Sequence, residues 1–188
     1  MNPMTVLGVP GSLRQASHNR TLLRAAAALL PPEVRFVEYE RLKAIPPFDE
    51  DDEPDPGAAV EGWRTAIADA DAILFATPEY NSSIPGQLKT AIDWASRPFD
   101  NTVLRNKPVA VIGASTSMFG AVWSQAELRK ALGAAGGRVL DRELAVAYAG
   151  EAFDENGRLL DHDLALELES ILVDLLGQVR QREGLAVH

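Results

Sequence analysis

The chain has 188 residues, 46% of them hydrophobic and 24% charged, a balance that builds one packed domain over residues 1–188 and excludes long disorder. Its net charge of −9 disfavours nucleic acid and anionic membrane surfaces as partners, because a local basic patch would have to overcome general repulsion and no such run occurs. The absence of cysteine removes disulfides, zinc–thiolate sites and thiol catalysis, and without a basic leader or a bilayer-length apolar run the expected location is the cytoplasm.

In chain order, β-rich runs alternate with segments of helical period, the pattern of a parallel sheet covered on both faces. The first strand is expected over Thr5–Val9 and runs into the loop PGSLRQASHN. Leu22, Leu23, Ala26, Leu29 and Leu30 follow at spacings of three and four, one face of a helix that Pro31 and Pro32 end. A second strand is expected over Val34–Glu40. The acidic stretch FDEDDEPDP, Phe48–Pro56, lacks any metal-loop spacing and reads as a solvated loop. The third strand is expected over Ala72–Thr77, followed by PEYNSSIPG. Pro85 and Gly86 start a helix whose stripe is Leu88, Ala91, Ile92 and Ala95. The fourth strand is expected over Pro108–Ala114, leading into STSMFGAVW, and the fifth over Asp141–Ala147. Leu168, Ile171, Leu172, Leu175 and Val179 mark a last helix. The runs ILFAT and VAVIGA are apolar on both alternating faces, as central strands buried between helical layers must be. The expected fold is α/β: a doubly wound, five-stranded parallel sheet in a three-layer α/β/α sandwich.

Ligands of open α/β sheets bind outside the carboxyl ends of the strands, where strand order reverses. The loops after strands one, three and four are therefore the candidates. In the first, Gly11 permits a tight turn, Ser12, Ser17 and Asn19 offer short donors, and Arg14 offers a guanidinium fork, all before a helix N-terminus. Together these suit a phosphate, although Ser17 or Asn19 alone would read as a helix cap. No lysine precedes Lys43, which removes the P-loop of nucleotide triphosphatases, and only Gly8 and Gly11 stand where a dinucleotide fingerprint needs three glycines. A mononucleotide fits better.

The segments Gly11-Ser12-Leu13-Arg14 with Ser17 and Asn19, TPEYNSSIPGQLKTAIDW from Thr77 to Trp94, and Gly113-Ala114-Ser115 resemble the NADPH-dependent FMN reductase family. That is the flavodoxin-like group that includes bacterial quinone and chromate reductases. The resemblance implies FMN, its phosphate in the first loop and its ring along Pro78, Glu79, Tyr80 and Asn81, with Ser115 a further contact. It implies no catalytic side chain and no metal, since the redox chemistry belongs to flavin N5. NADPH or NADH is the implied co-substrate, and a quinone-like or other small molecule the acceptor. Members of the family also form homodimers or homotetramers, here expected through the helix after strand three. The third loop departs from the family pattern. Thr116, Ser117, Met118 and Phe119 replace a glycine-rich turn, so its backbone should be less permissive, and Phe119 and Trp123 read as lip or subunit-interface residues. The alternative function is a one-electron carrier or a non-catalytic flavin-binding module.

Overall fold

Strands that are apolar on both sides need helices on both sides, and the computed structural model, which describes residues 3–185, has that arrangement. The ends of the expected 1–188 domain lie outside the described residues. β1 (Thr5–Pro10), β3 (Ala72–Thr77) and β4 (Pro108–Ala114) are buried at every position. β2 (Arg35–Glu38) is a half-exposed edge, shorter than the expected Val34–Glu40. With β5 (Arg138–Val139) at the other edge, the strands pair in parallel in the order β2-β1-β3-β4-β5, the order of the flavodoxin-like fold.

Alternation along each strand sorts the core into two layers. Leu7, Val9, Ile73, Phe75, Val109 and Val111 meet α2 (Ala58–Asp69), α3 (Gly86–Ala95) and α4 (Val122–Ala134). Val6, Leu74, Ala110 and Ile112 meet α1 (His18–Leu29) and α5 (His162–Leu185). Helix α2 carries Val60, Trp63 and Ile67 into the first layer, at the spacing of a helical face. No helix among the described residues is long and apolar enough to cross a membrane.

The fifth strand differs from the expected Asp141–Ala147. It is split into β5 (Arg138–Val139) and β6 (Ala145–Val146), both paired with β4. The intervening Asp141-Arg142-Glu143 leaves the sheet, and the charges of Arg142 and Glu143 find partners at the surface. Arg142 pairs with Glu167 and Asp174 of α5, and Arg129 of α4 reaches Glu143 at 3.2 Å. The chain returns through Gln125, whose buried side-chain carbonyl accepts from the Leu144 N–H at 3.1 Å. The acidic stretch after Phe48 is an exposed loop with a short 3-10 turn, and Arg97 pairs with its Glu50 and Glu53 at 3.1 and 3.0 Å.

Candidate functional site

Strand order reverses between β1 and β3, and beside the carboxyl ends of β1, β3 and β4 lies a cleft of about 100 Å³. Ser12, Arg14, Ser17, Asn19, Pro78, Glu79, Tyr80 and Ser115 line it, which is every predicted site residue except Asn81. His18, Ala114 and Thr116 complete the lining.

Its floor is the start of α1. Gly11 is held by its N–H to the Ala76 carbonyl at 2.8 Å, and a Cβ there would come within 2.9 Å of Leu88 and 3.2 Å of Pro78. Close approach between the loops, rather than an unusual φ, is what requires glycine. Ser17 is the N-cap of α1, its hydroxyl accepting from the Arg20 N–H at 3.4 Å. The capping role and a place in the cleft therefore coincide in one residue, and its hydroxyl hydrogen is left to donate. Ser12 is equally sequestered and accepts from the Arg14 N–H at 3.4 Å. The Arg14 guanidinium is exposed and donates to the Ala16 carbonyl at 3.0 Å, and no carboxylate pairs with it among the described residues.

Asn19 does something the sequence did not disclose. It is buried, donates to the Ala114 carbonyl at 2.8 Å and accepts from the Ala114 N–H at 2.9 Å. The amide thus copies a strand partner and ties the first turn of α1 to the end of β4, 95 positions away. One of its N–H groups remains for a ligand.

The other wall is the segment after β3. Pro78 is buried, and Tyr80 and Ser83 bridge across a tight turn whose central residues, Asn81 and Ser82, have φ of 53° and 58°. Two positive φ values in succession make this a type I′ geometry. Asn81 sits at its exposed tip, outside the lining of the cleft. The Glu79 carboxylate turns away from the tip and accepts from the Trp123 and Ser124 N–H groups at 3.1 and 3.2 Å. It caps α4, whose own N-cap is Ala121, a residue with no side chain able to do so. That missing cap residue is the one sequence signal that an outside carboxylate is needed. Ser124 and Thr77, both fully buried, bond hydroxyl to hydroxyl at 2.9 Å and fix the same junction.

The third loop contains more positive φ than its composition predicts. Gly120 is at 57° and Ala121 at 65°, so one glycine and one alanine perform the turn. Ser115 half-faces the cleft and bonds Ser117 at 3.1 Å. The Tyr148 and Ala149 N–H groups bond the Ser117 and Ser115 carbonyls at 3.1 and 3.0 Å. Outside the cleft, burial pushes the Tyr39 phenol above its ordinary value, with the charge on Arg41 opposing.

The cleft suits an anion: it holds a guanidinium that no carboxylate pairs with among the described residues, two sequestered hydroxyls and a helix N-terminus, while the carboxylate of Glu79, which also lines it, is engaged by the α4 N–H groups. Its volume suits a group the size of a phosphate, and Glu79 and Tyr80 stand on its β3 side.

Residues 4–151 match the family described as NADPH-dependent FMN reductase. The chain is 45% identical to an NAD(P)H-dependent FMN reductase of Pseudomonas aeruginosa, over 87% of this chain and 88% of that one. It is 34% identical to a 2-hydroxy-1,4-benzoquinone reductase of a Burkholderia species, over 93% and 95% of the two chains. Among solved structures, the flavoenzyme NAD(P)H:(acceptor) oxidoreductase of Paracoccus denitrificans superposes with a TM-score of 0.83 at 31% identity, covering 95% of this chain and 98% of that one.

Proposed function

Because the chain belongs to the NADPH-dependent FMN reductase family and is an FMN-dependent NAD(P)H oxidoreductase, we propose that it passes electron pairs from NADPH or NADH to a quinone-like or other small acceptor by a ping-pong mechanism. FMN, when bound, supplies a reversible hydride acceptor that no side chain of the protein can supply. The protein's residues bind and orient. Arg14, Ser12, Ser17 and the α1 N-terminus take the phosphate. Pro78, Glu79, Tyr80 and Asn81 support the ring through their backbone, with Asn19 and Ser115 at its β4 side. The observation that carries the reading is the convergence of eight predicted residues from three loops on one cleft at the switch point.

The three loops converge on one cleft, and the chain has no cysteine pair in which to store electrons. The nicotinamide product must therefore leave before the acceptor enters. We also assign the protein to the cytoplasm as a homodimer or homotetramer, with the surface beside α3 as the contact. That surface carries a groove of about 620 Å³ and a Phe99 that is 75% exposed.

Anaerobic stopped-flow reduction with each nicotinamide, followed by steady-state rates over both substrates, tests the reading. Rapid reduction and parallel double-reciprocal lines are expected. Intersecting lines would remove the ping-pong mechanism, and negligible reduction by both nicotinamides would leave a one-electron carrier or a binding module.

A further inference from the structure

Phe119 and Trp123 have no part in the phosphate cradle, yet the fold holds them with unusual care. Their rings meet edge to face, 4.8 Å between centroids, and both remain exposed, at 47% and 44%. Two large aromatic side chains that contact each other instead of the core leave apolar surface in water, and such surface marks a binding site when it is fixed in place.

It is fixed here from several directions. Gly120 lies with φ of 57° so close to Ala145 that a Cβ would approach its carbonyl carbon to 2.5 Å. The buried Gln125 side chain donates to the Gly120 carbonyl at 3.2 Å. The Trp123 N–H is held by Glu79 at 3.1 Å, and the Phe119 N–H by the Ser117 hydroxyl at 3.4 Å. One turn beyond Trp123 on the same face of α4, Glu127 accepts from the Ser83 hydroxyl at 2.5 Å. That face therefore runs along the turn from Glu79 to Ser83, two of whose residues line the cofactor cleft. Met118 and Tyr148, 61% and 59% exposed, continue the apolar rim on the loops joined by the bond from the Tyr148 N–H to Ser117.

We propose that Phe119 and Trp123 form a preorganised aromatic wall that selects planar aromatic acceptors, of the quinone class, over compact non-aromatic ones. The inference rests on the reductase reading above and adds to it the residues that choose the acceptor. A flat ring gains offset or edge-to-face contact with the pair, and because the wall is already set, little ordering is lost on binding. The reaction served is balanced as NAD(P)H plus quinone plus one proton giving NAD(P)⁺ plus hydroquinone. The electron pair and one proton leave the nicotinamide, and the second proton comes from solvent.

The test uses the FMN-loaded protein and its Phe119→Ala and Trp123→Ala variants, with 1,4-naphthoquinone and ferricyanide as acceptors. The ratio of kcat/KM for naphthoquinone to that for ferricyanide should fall at least tenfold in each variant, and Phe119→Tyr and Trp123→Phe should restore most of it. A second readout needs no turnover. Trp63 and Trp94 are fully buried, so Trp123 is the tryptophan open to a bound quinone. Naphthoquinone should quench tryptophan fluorescence saturably in the parent protein, and Phe119→Ala should raise the apparent Kd at least tenfold. An unchanged ratio and an unchanged Kd overturn the proposal. So does a change of oligomeric mass in the variants with acceptor preference intact, which would make the pair an interface between copies. Absence of reduction by either nicotinamide, with saturable quenching preserved, would instead sink the reductase reading and leave the wall standing.

Discussion

Arg14 and Asn19 line the same cleft but do different work. Arg14 is exposed and has no carboxylate partner among the described residues, so its removal leaves no buried charge unpaired and returns only the exposed Ala16 carbonyl to water. Arg14→Ala should weaken FMN by about 1.5 to 3 kcal/mol, the range for a hydrogen bond to a charged group, while leaving riboflavin nearly unaffected. Asn19 is buried with both ends of its amide committed to Ala114. Asn19→Ala leaves a buried N–H and carbonyl of Ala114 unpaired, at a cost of roughly 1 to 3 kcal/mol each in folding. It should lower the denaturation midpoint and weaken FMN and riboflavin alike. Titration of both variants with both flavins checks the contrast, and equal losses for Arg14→Ala would remove that residue from the cradle. The sequence displayed the donors by type, but the bond from Asn19 spans 95 positions and no local pattern could announce it.

At the scale of elements, legibility followed burial. β3 and β4 begin and end where their apolar runs do, because helices cover both faces and every residue contributes to the pattern. The fifth strand is shorter than its pattern suggests, since Asp141-Arg142-Glu143 sits between two β-prone pieces and the partners of Arg142 and Glu143, which are Glu167, Asp174 and Arg129, lie elsewhere in the chain. The junction between the second and third loops was likewise hidden. Glu79 was expected to serve through its backbone, yet its carboxylate also caps α4 from 44 and 45 positions away. A carboxylate at a helix start is favoured by the dipole as well as by the bonds it accepts, and loss of a cap costs about 0.5 to 2 kcal/mol. Glu79→Ala should therefore lower stability by about that amount and loosen the Phe119–Trp123 wall, whereas Glu79→Gln, which keeps a carbonyl acceptor, should lose less. Urea denaturation measures the first effect. Hydrogen exchange at the Trp123 and Ser124 amides measures the second, and unchanged protection in Glu79→Ala would show that α4 does not depend on this cap.

For the whole molecule, the proposed cofactor cleft is a place where three loops meet. The bond from Gly11 to Ala76 links β1 with β3, Asn19 links α1 with β4, and Glu79 links β3 with α4. A ligand touching all three loops adds to those bonds in the folded state and has nothing equivalent to bind in the unfolded chain. Mass action then raises stability by about 2.7 kcal/mol at a free ligand concentration one hundred times Kd. For a chain of this length each kcal/mol moves the melting temperature by roughly 2 to 4 °C, so FMN at that excess should raise Tm by roughly 5 to 11 °C. Riboflavin at the same concentration should raise it less, because it makes no use of Arg14 or the α1 N-terminus. FAD should do no better than FMN, since the first loop offers one phosphate cavity of about 100 Å³ and no three-glycine turn for a pyrophosphate. Thermal denaturation with the three flavins at matched concentration, paired with chromatography of the flavin released from purified protein, decides the order. A larger shift with FAD, or FAD recovered at full occupancy, would mean that the cleft extends beyond the cradle and that the phosphate of FMN is not its natural limit.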